Sequence, residues 1–262
     1  MAGVSAGNRE WDGASYDRIS APQARWGQAV LERLELAGDE TVLDAGCGSG
    51  RVTERLLARL PRGRVVAVDA SASMLDQARA RLGQADGRVS YVQADLLHLR
   101  PRDLAGAVPL DAVLSTATFH WVTDHDRLFA NLFALLRPGG QLVAQCGAKG
   151  NIDGVISAVR SLGVERAGTW LYATPEETKK RLERAGFTDI EVWSHPEPTP
   201  FPERQVLEEF LETVCLREHL ASLAPSQRRP FAGAVAAAMP EPVIDYVRLN
   251  IVARRGLGSN HD

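Results

Sequence analysis

The chain has 262 residues, 45% of them hydrophobic and 24% charged, which supplies a substantial core and excludes disordered, fibrous and disulfide-stapled classes. Lys plus Arg number 30 against 33 for Asp plus Glu, a formal net charge of -3, so no global positive field draws the protein to nucleic acid or anionic lipid. Cys47, Cys146 and Cys215 form no CxxC pair or zinc-type Cys/His spacing, and no basic-then-apolar leader or run near the ~18 apolar residues of a membrane span is seen. A metal-free cytoplasmic protein without membrane or nucleic-acid partners is predicted.

In chain order, short runs rich in Val, Leu and Ala alternate with helical periodicity between residues 41 and 146, the pattern of βαβ units. Strands are predicted at Thr41 to Ala45, Arg64 to Asp69, Val89 to Gln93, Asp111 to Ser115 and Gln141 to Cys146, apolar enough to be buried on both faces of a parallel sheet. Between them Val52, Leu56, Leu57 and Leu60, then Met74, Ala78 and Leu82, then Leu128, Leu132, Leu135 and Leu136 recur at helical spacing, the last group stopping at Pro138-Gly139-Gly140. Thr174-Pro175-Glu176-Glu177 combines an N-cap, a first-turn Pro and a capping-box Glu, and Gly186 supplies a stop, so a helix spans about 175 to 185. Ile190 to Ser194 reads as a strand. In a last strand Val247, Leu249, Ile251 and Ala253 alternate with Arg248, Asn250 and Arg254. The proline-bounded stretch between these two strands carries Val206, Phe210, Leu211, Val214 and Leu220 at helical spacing and is read as an inserted helical cap at 201–240. The expected architecture is a Rossmann-like, doubly wound, seven-stranded, mostly parallel α/β sheet with that cap. Its core comprises residues 41–200 and 241–256.

The chemistry concentrates at strand ends. Asp44-Ala45-Gly46-Cys47-Gly48-Ser49-Gly50 is a glycine loop between an apolar strand and a helix starting at Arg51; its glycines permit positive φ and backbone contact with a ligand. A dinucleotide fingerprint needs Gly or Ala where Arg51 stands, which disfavours a nicotinamide cofactor. Asp69 ends the second strand 19 residues after Gly50, where a carboxylate accepts ribose hydroxyls; capping the helix that starts near Ser71 is the other reading. Asp95 follows the third strand and suits an adenine amino group. Ser115-Thr116-Ala117-Thr118-Phe119-His120-Trp121 follows the fourth, so four stretches converge on one crevice beyond the strands' carboxyl ends.

The LDAGCGSG loop, the VD pair ending at Asp69, AD at 94–95, FHWV at 119–122 and LLRPGG at 135–140 resemble the class I S-adenosylmethionine-dependent methyltransferases over residues 40–146. The HW pair, Gly147-Ala148-Lys149-Gly150-Asn151 and the cap are similar to the trans-aconitate methyltransferase group. The resemblance implies S-adenosyl-L-methionine as cofactor, with contacts at Asp44, Gly46, Cys47, Gly48, Asp69, Ala70, Met74, Asp95, Leu96 and Ser115. It also implies that a helical segment at 1–40, rich in Trp11, Tyr16, Arg18 and Trp26, folds over the cofactor; a helix packed on the sheet edge is the other reading.

The implied reaction is methyl transfer to a small-molecule acceptor, with O-methylation of a carboxylate as first expectation. Tyr16, Arg18, His120, Trp121 and Lys149 are candidate acceptor-binding residues. His120 is also a candidate catalytic base, since imidazole titrates near neutrality; packing or capping beside Trp121 is the alternative. An acidic acceptor needs a cation, for which Arg18, Arg25, Lys149, Arg217 and Arg248 are available. N- or C-methylation of a metabolite, and a cofactor-binding partner subunit without turnover, remain open alternatives.

Overall fold

The computed structural model describes residues 21–83, 85–104, 106–165 and 169–257. Its centre is a seven-stranded sheet in the order β3-β2-β1-β4-β5-β9-β6. The strands are β1 (Thr41–Ala45), β2 (Arg64–Asp69), β3 (Val89–Gln93), β4 (Leu110–Thr116), β5 (Leu136–Gly147), β6 (Phe187–Pro196) and β9 (Val247–Arg255). A separate two-stranded ribbon pairs β7 (Thr199–Pro200) with β8 (Val243–Ile244). β1 to β5 run parallel, and β9 is antiparallel to both β5 and β6. Sequence order reverses between β1 and β4, which opens a crevice at their carboxyl ends.

The two-residue period of the strands sorts their side chains into two cores. Leu43, Ala45, Val66, Val68 and Val113 pack on one face with Leu128, Phe129 and Leu132. Val42, Val65, Ala112, Leu114 and Val143 pack on the other with Val30, Leu34, Leu56 and Leu60. The covering helices are α1 (Ala21–Leu31), α2 (Arg51–Ala58), α3 (Ala72–Leu82), α4 (His125–Leu135), α5 (Asp153–Ser161) and α6 (Pro175–Ala185). α6 begins with a complete capping box, the Glu177 N–H donating to Thr174 Oγ1 and the Thr174 N–H to Glu177 Oε2, and ends at Gly186 with φ of 98°.

Two strands outrun their predicted ends. β5 begins at Leu136, directly after α4, ahead of the predicted start at Gln141, and takes in the Pro138-Gly139-Gly140 expected only to stop the helix; a register shift between Leu110 and Ala112 accommodates the extra residues, as a bulge tolerates Pro. β6 likewise starts at Phe187 and carries a bulge between Thr188 and Glu191, with Asp189 at φ 49°. Between β6 and β9 lie α7 (Arg204–Phe210), a π-helical turn at Leu211–Cys215, α8 (Arg217–Ala221) and α9 (Pro225–Ala238). They share a third core with α5, built from Val155, Val159, Leu207, Phe210, Leu211 and Val235 together with Trp26. Among the described residues, no helix is long and apolar enough to cross a membrane, and no cluster of three His, Cys, Asp or Glu side chains is arranged to hold a metal ion.

Candidate active site

The glycine loop is pinned across β1 and β2, because the N–H groups of Gly46 and Cys47 both donate to the Val68 carbonyl, at 2.8 and 3.0 Å. The Gly48 N–H donates to Asp69 Oδ2 and the Ser71 N–H to Asp69 Oδ1, each at 2.9 Å. Asp69 therefore ties the loop to the start of α3, where Ser71 is the N-cap, and its carboxylate plane is fixed at the crevice. The three glycines have φ values of 81°, 53° and 80° but different surroundings. A Cβ on Gly46 would lie 2.2 Å from Thr118 Oγ1, and one on Gly50 would lie 3.1 Å from Ala78; one on Gly48 would meet nothing within 4 Å. Packing demands the first and third glycines, and the second faces open space.

Beneath the loop Asp44 is wholly buried. Thr53 Oγ1 donates to its Oδ2 at 2.6 Å, and Oδ1 has no hydrogen-bond partner. Burial raises the carboxyl from its ordinary 3.8 to about 7; the Thr53 hydrogen bond opposes the rise and the Asp69 charge adds to it. Cys47, Met74 and Leu96 are buried, while Ala70 is exposed. Burial pushes the Cys47 thiol well above its usual range, so it stays protonated. Asp95 Oδ1 accepts from the Leu97 N–H at 2.9 Å, and its Oδ2 lies 3.3 Å from His98 Nδ1. Ser115 is buried, and its hydroxyl donates to the Ala45 carbonyl at 2.7 Å, locking β4 to β1 and leaving its backbone at the strand end to meet a ligand.

The segment after β4 touches two sites. Thr118 Oγ1 lies 3.2 Å from the Gly46 carbonyl on the loop side. Ala117, at φ 54°, His120 and Trp121 line a second pocket, continued by Trp26, Tyr172, Tyr246 and Arg248. Asn151, Ile152, Trp170, Val214 and Cys215 complete it. His120 is buried, and its Nδ1 accepts the Gly147 N–H at 3.3 Å. With Nδ1 accepting in that bond, the ring proton belongs on Nε2. The ring stacks 5.7 Å from Tyr172 at 28° and lies 5.0 Å from Trp121. A Cβ on Gly147 would come within 2.6 Å of the Tyr172 ring, so glycine there is what admits the tyrosine. Burial raises the Tyr172 phenol above its ordinary range, with the Asn151 hydrogen bond opposing.

Lys149 does not join this pocket. It is exposed, its N–H donates to the Ala173 carbonyl at 3.1 Å, and Tyr172 takes the inner position. Tyr16 and Arg18, with Trp11, lie outside the described residues. Among the cations considered, Arg248 lines the pocket. Its side chain is 2% exposed, its guanidinium stacks 4.1 Å over the Trp26 ring, and Nε lies 3.4 Å from Gln145 Oε1. Gln145 Nε2 in turn donates to Asn250 Oδ1 at 2.8 Å, and Arg33 donates to the same oxygen at 2.7 Å.

Sequence reasoning offered Arg248 but missed Gln145, Asn151, Trp170, Tyr172, Tyr246 and Asn250. The one available signal was the alternation in β9, where Arg248 and Asn250 occupy the face that usually meets solvent; α1 and the residues following it cover that face here.

Residues 42–140 match the methyltransferase domain family. A trans-aconitate 2-methyltransferase from Paracidovorax citrulli (strain AAC00-1) is 29% identical, covering 94% of this chain and 98% of its own length. Another from Variovorax paradoxus (strain S110) is 39% identical over 52% of this chain and 49% of its own. Phosphoethanolamine N-methyltransferase 2 of Haemonchus contortus, solved with phosphomonomethylethanolamine and S-adenosylhomocysteine, shares the fold at a TM-score of 0.62 and 20% identity. That match covers 94% of this chain, which spans 57% of that protein's length. The loop suits the cofactor these comparisons imply. Gly48 leaves space for close approach, Asp69 stands at the crevice, and Asp44 Oδ1, beneath the loop, is a buried oxygen with no hydrogen-bond partner. Residues 42–140 thus form a methyltransferase domain, and the chain is similar to S-adenosylmethionine-dependent methyltransferases.

Proposed function

We propose that the enzyme methylates a carboxylate oxygen of a small acid held in the aromatic pocket, with Arg248 as the counter-cation. The observation that carries this reading is a buried guanidinium stacked on Trp26 within a pocket that shares the post-β4 segment with the glycine loop. A desolvated cation of this kind favours an anionic partner over a neutral or cationic one. The trans-aconitate 2-methyltransferase relatives support the same acceptor chemistry.

The cofactor would be held by the Gly46 to Gly48 backbone, Asp44, Cys47, Asp69, Ala70, Met74, Asp95 and Leu96. S-adenosylmethionine, when bound, supplies a methyl group on a sulfonium: the acceptor oxygen forms the new O–C bond as the C–S bond breaks, and the electron pair stays on sulfur. A carboxylate is already ionised at neutral pH and needs no proton removed. The protein's contribution is then alignment and exclusion of water. Arg248 fixes the carboxylate, His120 Nε2–H offers a donor, and Val214 and Cys215 of the segment between β6 and β9 close one side of the pocket.

Incubating the purified chain with S-adenosylmethionine and a panel of acids, amines and phenols, followed by mass spectrometry, tests the reading. Products heavier by 14 mass units from acids, lost on alkaline hydrolysis as esters are, are the expected result. Alkali-stable products from amines or phenols alone would refute it. At saturating S-adenosylmethionine and acid, so that the Asp44 titration is not read, a carboxylate acceptor also predicts a rate that is flat from pH 6 to 9, and a His120→Gln variant within about tenfold of the parent, below the 10² to 10⁴ of a general base.

A further inference from the structure

A chain of polar side chains leads away from the pocket across one face of the sheet. Arg248 Nε donates to Gln145 Oε1 at 3.4 Å, Gln145 Nε2 to Asn250 Oδ1 at 2.8 Å, and Asn250 Nδ2 to His195 Nδ1 at 3.1 Å. His195 Nε2 lies 3.1 Å from Glu197 Oε2. Gln145 and Asn250 are buried, whereas His195 is half-buried on β6, the last strand in the sheet order. The chain thus joins a buried guanidinium to an imidazole within reach of solvent.

Both amides are oriented by groups that can only donate. A guanidinium has no acceptor, so the atoms that face Arg248 and Arg33 are oxygens: Gln145 Oε1 for the first, and Asn250 Oδ1, 2.7 Å from Arg33 Nη1, for the second. On its other side Asn250 Nδ2 lies 3.5 Å from the Trp193 and Arg248 carbonyls, which can only accept. Neither amide can turn over without setting donor against donor. His195 Nδ1 therefore accepts, the ring proton sits on Nε2 and points to Glu197, and the imidazole in this arrangement is neutral.

Protonation of His195 reverses that last link. Nδ1–H then faces the Asn250 amino group, and the amide, pinned on both sides, has no orientation that receives it. The new charge is also badly placed. His195 stands directly opposite Arg248 in the β6–β9 register, and like charges opposed across a strand pair repel. Arg33, stacked 4.8 Å from the Trp193 ring centroid, is the other cation meeting this cluster, and Glu197 is the acid.

From this oriented chain, and resting on the reading of Arg248 as the acceptor's counter-cation, we infer that His195 is a positioning residue for the acceptor. Neutral, it completes the chain that holds Arg248 in place for the carboxylate; protonated, it loosens that hold. The effect falls on acceptor binding and leaves the transfer step alone.

The test follows Arg248 directly, in the isotope-labelled full chain with S-adenosylhomocysteine. The Arg248 Nε–H resonance should shift between pH 8 and pH 5.5, within the range where histidines change charge. In His195→Asn, whose Oδ1 takes the place of Nδ1 and gains no proton, it should shift less than a third as far. At saturating S-adenosylmethionine, the KM of the parent for trans-aconitate, divided by that of His195→Asn, should rise at least fivefold over the same interval while the kcat ratio stays within twofold. Taking ratios removes the ionisation of the acid and of Asp44. His195→Leu, with no acceptor at this position, should show the raised KM already at pH 8. An Arg248 resonance that shifts equally in the parent and in His195→Asn overturns the inference and leaves the carboxylate reading standing. If Arg248 follows His195 but the KM ratio stays constant, the reading of Arg248 as counter-cation falls instead. The resonance needs no turnover, so it decides the positioning role for any acid.

Discussion

Gly46 and Gly48 look alike in sequence, yet they differ in what a side chain would strike. Thr118 occupies the space over Gly46, so Gly46→Ala should damage the fold, visible as a lowered Tm without ligand. Gly48 faces the crevice, and Gly48→Val should leave the far-ultraviolet spectrum intact while weakening S-adenosylhomocysteine at least tenfold by calorimetry; β-branching at φ 53° adds a local cost. Normal affinity in the valine variant would remove the loop from the site. Asp69→Ala should cost roughly 1.5 to 3 kcal/mol in the same titration, the range of charge-assisted hydrogen bonds.

Asp44 gives a prediction with a definite sign. Its carboxyl titrates near 7 when folded against 3.8 ordinarily, so the native state holds the proton more tightly than the unfolded chain. Ionisation then erodes stability as pH climbs from about 4 to about 7, and the loss is complete above that window. Asp44→Asn cannot ionise. Its Tm relative to the parent should rise across this interval and level off beyond it, whatever the offset at pH 4. A constant difference between the two proteins would show that the carboxyl titrates normally.

At the scale of elements, the capping box of α6 was readable residue by residue, because Thr174, Glu177 and Gly186 are local signals that need no tertiary partner. Thr174→Ala should destabilise by about 1 kcal/mol in urea titrations. The Thr174 backbone N–H holds the Glu177 carboxyl below its usual range, so the reciprocal half of the box, which Thr174→Ala leaves in place and Glu177→Ala removes, should fade as pH falls through that lowered value. The lengths of β5 and β6 were less legible, because a bulge is set by the register of the partner strand and Pro138-Gly139-Gly140 reads locally as a stop. The aromatic pocket was scarcely legible at all. Asn151, the Trp170 and Tyr172 pair and Arg248 are far apart in sequence, and each reads alone as ordinary core or surface. What singled out the glycine loop was short-range spacing, which the acceptor side lacks. Gln145 illustrates the point. It reads as one polar residue in an apolar strand, yet it is buried and bridges Arg248 and Asn250. Gln145→Leu should raise KM for the acid more than it lowers kcat, with cofactor affinity unchanged.

For the molecule as a whole, the domain match at 42–140 covers the glycine loop, Asp69, Asp95 and the post-β4 segment, whereas Arg248, Tyr246, Tyr172 and Val214 all come later in the chain. Val214→Trp, at the π-helical turn, should therefore fill the acceptor pocket and stop transfer while S-adenosylhomocysteine binds as before. Weakened cofactor binding in that variant would mean that the two pockets are not separable.

The position of β9 has a consequence for how the enzyme is made. Among the described residues β6 has β9 as its one neighbour in the sheet, and β9 sits between β5 and β6 although it is the last described strand in chain order. During synthesis, the strands from β1 to β5 can pair as they emerge, but β6 must wait for residues 247–255 before it has an edge to join. The same nine residues carry Arg248 and Asn250. A nascent chain can thus assemble its glycine-loop crevice early, and the pocket lined by Arg248 comes into being only when β9 threads into place, a step of large sequence separation that should be the slow phase of refolding. In stopped-flow experiments, recovery of S-adenosylhomocysteine binding should precede recovery of acid binding.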